Sequence, residues 1–151
     1  MKKIQIVYWT ATGNTEMLAK AFSRGAQHQD LEIHLNYVGD TDPEQAIDMM
    51  GMVFGCPAQG TEELDETEFE PYFEQVLPYL KGKPVAIFGS YGWGLGEYQT
   101  IWKKRIEAAG GIVVVEPLAI FEVPTQKDME LAFKLGQQYA QMILAMNSVV
   151  E

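Results

Sequence analysis

Five short apolar runs rich in β-branched residues alternate along this chain with stretches of helical periodicity, and that alternation admits few folds. The runs lie at 3–9 (with Ile4, Ile6 and Val7), 31–38, 50–56, 83–90 and 112–121. After the first, Met17, Leu18, Ala21, Phe22 and Gly25 mark one helix face. A short helix is expected at 43–49. Next comes a helix burying Phe69, Tyr72, Phe73, Val76, Leu77 and Leu80, opened by the capping-box pattern Thr67-Glu68-Phe69-Glu70 and ended near Pro78. The fourth helix carries Tyr98, Ile101, Trp102, Arg105, Ile106 and Ala109 on one face, and Gly110-Gly111 stops it. The last, at about 126–146, buries Met129, Ala132, Phe133, Gly136, Tyr139, Ala140 and Ile143.

Five strands alternating with five helices predict an α/β fold: a doubly wound, five-stranded parallel sheet with helices on both faces. Nearly continuous apolar strands at 85–88 and 112–115 fit burial on both sides. The strand order expected is 2-1-3-4-5, which places a ligand beyond the C-terminal ends of strands 1, 3 and 4. Three unusual loops fall there, at 10–15, 57–65 and 90–97. No repeat, linker or low-complexity segment interrupts residues 1–151, so one domain is expected.

Charge is unevenly distributed. Residues 1–24 carry four basic groups and one acid, residues 81–151 seven of each, and residues 25–80 thirteen acids with no Lys or Arg. The sums, +3, 0 and −13, give the net −10. An acidic middle repels nucleic acid and anionic membrane and would steer a basic protein partner. The same charge also suits a solvated face that serves solubility. No apolar run reaches the length of a membrane span, and the start is too short and interrupted for a secretory signal. A single cysteine, Cys56, excludes an internal disulfide and suits a reducing compartment, so a cytoplasmic protein is expected; the chain is also expected to be a monomer.

The segment Thr10-Ala11-Thr12-Gly13-Asn14-Thr15 lies between a strand and a helix start. Three hydroxyls, an Asn side chain and backbone N–H groups can converge there on an anion, helped by the helix dipole. A P-loop would need a Lys after the glycine, and a dinucleotide fingerprint would need three glycines; Asn14 follows Gly13, and the loop has one glycine. The pattern suits a terminal monophosphate held by dipoles and hydroxyls. An ordinary strand-to-helix turn is the competing reading.

These residues, after Tyr8-Trp9, resemble the FMN phosphate loop of flavodoxins. Two further segments agree: Gly55-Cys56-Pro57-Ala58-Gln59-Gly60 with Glu62 downstream, and Phe88-Gly89-Ser90-Tyr91-Gly92-Trp93-Gly94. The stretch Glu68-Phe69-Glu70-Pro71-Tyr72-Phe73 is similar to clostridial-type members, and the uninterrupted run at 112–121 matches the short-chain group. The resemblance implies a flavodoxin-like fold and one non-covalently bound FMN. It also implies the site residues: 10–15 on the phosphate, and Pro57, Ala58, Gln59, Gly60, Thr61 and Glu62 with Ser90, Tyr91, Gly92, Trp93 and Gly94 around the ring. In those roles Trp93 stacks on the flavin, the Gly60 carbonyl turns toward N5–H, and Glu62 accepts from N3–H. Relatives commonly place an apolar side chain where this chain has Gln59. Trp9 suits either the core or the phosphate side.

The implied function is a low-potential one-electron carrier cycling mainly between semiquinone and hydroquinone, with basic redox proteins as partners. It is not an enzyme, and no residue is assigned to catalysis or to a metal. No Lys or Arg lies in the three loops, while Glu62, Glu63, Asp65 and Glu66 crowd one of them. Each carboxylate about 10 Å from the ring would oppose an anionic reduced flavin by roughly 0.4–1.7 kcal/mol, roughly 20–70 mV on a one-electron couple. The alternative is an FMN-dependent NAD(P)H:quinone-type reductase of the same fold. A phospho-accepting receiver domain lacks its acidic cluster here, because the first strand ends Tyr-Trp-Thr and the third Gly-Cys-Pro. Cys56 reads as a buried strand residue, since His28 and His34 both lie around the second strand.

Overall fold

The computed structural model describes residues 1–59, 63–92 and 96–146. In chain order the elements are β1 (Lys2–Tyr8), α1 (Asn14–Ala26), β2 (Leu31–Tyr37), β3 (Gly51–Gly55), α2 (Phe69–Val76), β4 (Pro84–Tyr91), α3 (Glu97–Ala108), β5 (Ile112–Val113), β6 (Leu118–Phe121) and α4 (Gln126–Ala145). Among the described residues these strands pair in parallel, and the sheet runs β2-β1-β3-β4-β5, with β6 also on β4. That is the expected order.

The strands alternate their apolar side chains between two cores. Ile4, Ile6, Val53, Ala86 and Phe88 face α1 and α4 through Leu18, Phe22, Tyr139 and Ile143. Val7, Met52, Phe54, Val85 and Ile87 face α2 and α3 through Phe69, Phe73, Trp102 and Ile106. Period-two alternation thus survives inside runs that read as uniformly apolar, because both faces are covered. Gln5 is a polar exception: fully buried, it donates to Asn36 (3.1 Å) and Gln45 (2.9 Å).

Four expectations are corrected. The run at 112–121 is not one strand: Val85 pairs with Val113 and Phe88 with Leu118, so five residue steps oppose three. Two extra residues bulge out there, next to Pro117, which has no N–H for the ladder. The segment Pro43–Asp48 is a 3-10 helix, capped when the Asp42 side chain accepts from the Glu44 amide, so the described α-helices number four. Thr67 does not cap α2; Asp65 does, as described below. Met17 and Ile101 are each 41% exposed and Phe133 38%, because each helix buries a stripe narrower than its full set of apolar residues.

Helices α1 and α4 touch backbone to backbone. A Cβ on Gly25 would stand 2.0 Å from the Phe133 carbonyl oxygen, and one on Gly136 2.1 Å from that of Phe22. Gly136→Ala adds about 1 kcal/mol of helix propensity, but the clash is with main chain that cannot swing away. Unfolding in urea should show a net loss of roughly 1–3 kcal/mol, whereas Lys134→Ala on the exposed face of α4 should leave stability within about 0.5 kcal/mol.

Candidate functional site

Register sets the site. Tyr8 lies beside Gly55, and Gly55 beside Phe88, so β1, β3 and β4 end side by side and all three candidate loops leave the same edge of the sheet. Backbone bonds carry the alignment past the strand ends. The Trp9 amide donates to the Gly55 carbonyl (2.9 Å), Cys56 to Phe88 (3.1 Å) and Ala58 to Ser90 (2.9 Å).

In the first loop the Thr10 hydroxyl accepts from the Gly13 amide (2.9 Å), folding the chain back on itself. Gly13 has φ 98°, a left-handed conformation that costs glycine little, and it opens α1 with no side-chain cap. Ala11 and Thr12 are exposed, and Gly13 and Asn14 half-buried. Thr15 is different. It is 1% exposed, and its hydroxyl has no hydrogen-bond partner among the described residues. A buried hydroxyl left unpaired costs about 1–3 kcal/mol. Here it stands at an uncapped helix N-terminus, where an anion is stabilised. The chain's donor set at this end of the sheet therefore fits a phosphate.

The second loop is pinned at both ends. Gln59 and Glu63 form a one-pair antiparallel bridge, with the Gln59 amide donating to the Glu63 carbonyl (2.6 Å). Pro57 and Ala58 are half-buried, and the Gln59 side chain is exposed. Gly60, Thr61 and Glu62, and with them the carbonyl and carboxylate roles, lie outside the described residues. So do Trp93 and Gly94 of the third loop, in which Ser90 is buried, Tyr91 half-buried and Gly92 exposed. Cys56 is fully buried, and burial pushes its thiol up, out of nucleophilic range.

Asp65 anchors the loop to α2. Its Oδ2 accepts from the amides of Glu68 (2.8 Å) and Phe69 (2.9 Å), and the Thr67 hydroxyl donates to Oδ1 (3.0 Å). Burial works to raise the Asp65 pKa, but the Phe69 and Glu68 amides and the Thr67 hydroxyl outweigh it and hold the carboxyl below its ordinary value. Glu68 ties the same corner to the first loop, accepting from the Tyr37 hydroxyl (2.6 Å) and the Trp9 indole (3.3 Å). Burial, reinforced by Glu68, pushes Tyr37 up to about 12. Trp9 is thus a half-buried ring that packs on the edge of the α2–α3 core while its indole N–H is held by Glu68 next to the first loop. Glu70, counted in the acidic surface from sequence, is paired with Arg105 at 2.8 and 2.6 Å.

Residues 6–136 match the flavodoxin family model. The chain belongs to the flavodoxin family. It is 40% identical to a flavodoxin of Megasphaera elsdenii over 111 residues, 74% of this chain and 81% of that one. Against a flavodoxin of Clostridium beijerinckii it is 34% identical over 137 residues, 91% and 99% of the two chains. The solution structure of two-electron reduced Megasphaera elsdenii flavodoxin superposes with a TM-score of 0.80 at 37% identity, covering 91% of this chain and 98% of that one. Short-chain membership and a carrier in place of an enzyme follow from these relationships; the reductase alternative is not favoured.

Asp65, which sequence reading counted only as one loop charge, proves to be the cap on which this flavodoxin's second loop rests. Its lowered pKa makes its contribution present above the unfolded carboxyl value of about 3.9 and lost as pH falls through the lower folded value. Asp65→Ala should cost roughly 0.5–2 kcal/mol in urea unfolding at pH 7, and the deficit should shrink toward pH 3.

Proposed function

We propose that this flavodoxin carries electrons one at a time at low potential through an FMN held by the three loops. When bound, FMN supplies the redox chemistry, and the protein sets affinity and potential. Residues 10–15 would hold the phosphate, with Thr15 as the buried donor. Pro57, Ala58, Gln59, Gly60, Thr61 and Glu62 on one side and Ser90, Tyr91, Gly92, Trp93 and Gly94 on the other would enclose the ring. The observation that carries this reading is the unpartnered, buried Thr15 hydroxyl at the uncapped start of α1.

The low potential rests on charge. None of the three loops contains Lys or Arg. Asp65 stays ionised beside the second loop because its amide bonds favour the carboxylate, and Glu63 and Glu66 stand exposed on it. Added negative charge on the cofactor is therefore opposed. The partners would be basic redox proteins drawn to this acidic face, the chain a cytoplasmic monomer, and residues 1–151 one cofactor-binding unit. Among the described residues no helix is long and apolar enough to cross a membrane.

Thr15→Val tests the phosphate assignment. It deletes a charge-assisted hydrogen bond to FMN, so the dissociation constant should rise by roughly 10–150-fold. Riboflavin, which lacks the phosphate, should bind the variant as it binds the parent. Apo stability should hold or increase, since the deleted hydroxyl has no protein partner. Equal losses for FMN and riboflavin in fluorescence titration would refute the assignment.

A further inference from the structure

Beneath the ring-side loops, the first turn of α3 carries a buried polar chain. The Tyr98 hydroxyl donates to the Cys56 carbonyl at 3.1 Å. The Gln99 amide nitrogen donates to the Tyr98 hydroxyl at 3.2 Å and to the Leu118 carbonyl at 2.7 Å. Both side chains are buried, at 1% and 4% exposure.

Position gives these bonds their interest. Cys56 is the residue from which the second loop springs, and α3 is the foot on which the third loop lands, through Gly96 as its N-cap. Leu118 opens β6 and pairs with Phe88, whose carbonyl accepts the Cys56 amide. One network thus joins the roots of both loops assigned to the ring and the strand between them. Room for it is made in β4: a Cβ on Gly89 would stand 2.1 Å from the Cys56 carbonyl oxygen and 2.4 Å from the Tyr98 hydroxyl. Glycine inside a strand weakens it and marks a close approach, and here the approach is that of the tyrosine. Packing alone would be served by Phe at 98, since the ring already stacks on Trp102 with centroids 6.2 Å apart. Burial holds the phenol far above its ordinary pKa, so it remains a donor.

We infer that Tyr98, backed by Gln99, is a positioning residue that holds the roots of the second and third loops, Cys56 and Gly96, at one spacing, so that the slot between these roots is set before the flavin ring binds. The inference rests on the FMN site proposed above. A satisfied buried network specifies a single arrangement. Without it only a fraction of molecules hold the slot, and the apparent dissociation constant rises by the reciprocal of that fraction. Because FMN and riboflavin share the ring, both should weaken by the same factor, unlike the FMN-only loss expected of Thr15→Val.

The experiment is Tyr98→Phe, titrated with FMN and with riboflavin, alongside amide hydrogen exchange of the apo protein. Both dissociation constants should rise together, by about 5–10-fold if the slot is held 10–20% of the time. The Ala58 and Gln59 amides should lose most of their protection, because exchange follows the open fraction, while that of Ile6 in β1 keeps its own. Gln99→Met, which keeps Tyr98 in place, should move the same readouts in the same direction and keeps the test open should Tyr98→Phe not fold. Parent-like affinities for both ligands, a loss confined to FMN, or acceleration of Ile6 along with the loop amides would each overturn the positioning role. Failure of the parent protein itself to bind FMN would instead remove the proposed function, and the inference with it.

Discussion

Parallel pairing of β3 with β1 on one side and β4 on the other is the constraint on which the rest of this molecule depends. It ends three strands at one level, and because β2 lies beyond β1 the connections diverge there instead of closing over the site. The loops need not find one another: backbone bonds from Trp9, Cys56 and Ala58 continue the ladder into them. What remains to be specified locally is small, and the chain specifies it with side chains at the loop roots: Asp65 under the second loop, Glu68 between the first and second, Tyr98 between the second and third.

Charge is arranged so that binding an anion and resisting further negative charge do not conflict. A lysine in the first loop would hold a phosphate tightly, but its field would extend to the ring and favour added electrons. Dipoles at the start of α1 and the Thr15 hydroxyl act only at short range, so on the proposed assignment affinity for the phosphate would be obtained with little effect on the potential at the ring. The second loop itself contributes carboxylates and no Lys or Arg. The nearest cation of α1, Lys20, is committed to Glu16 at 2.9 Å, and Arg105 to Glu70 at 2.6 Å.

The fold was legible because its signal is long-range periodicity: five apolar runs and their intervening faces set the architecture before any residue is assigned a role. The loop assigned to the phosphate stood out in the sequence through its hydroxyls and single glycine, a pattern shared with ordinary strand-to-helix turns; the buried, unpartnered Thr15 hydroxyl was not visible there. Other features depend on partners distant in sequence. Asp65 and Thr67 are both good capping residues two positions apart, and the tertiary path of the loop decides between them. Gln99 follows a buried tyrosine and reads as an exposed helix position; only the Leu118 carbonyl, 19 residues away, accounts for its burial. Trp9 could not be placed without Glu68, 59 residues on. The break in the last strand had a visible cue in Pro117, masked by the apolar run before it.

The central claim is that three loops at adjoining strand ends hold an FMN and bias it toward single-electron transfer at low potential. Spectroelectrochemical titration of the FMN-loaded protein tests this most directly. The account predicts two separate one-electron steps, with the second well below that of free FMN and shifted upward when Glu63 and Glu66 are both changed to Gln. A single two-electron step at the potential of free FMN would contradict it.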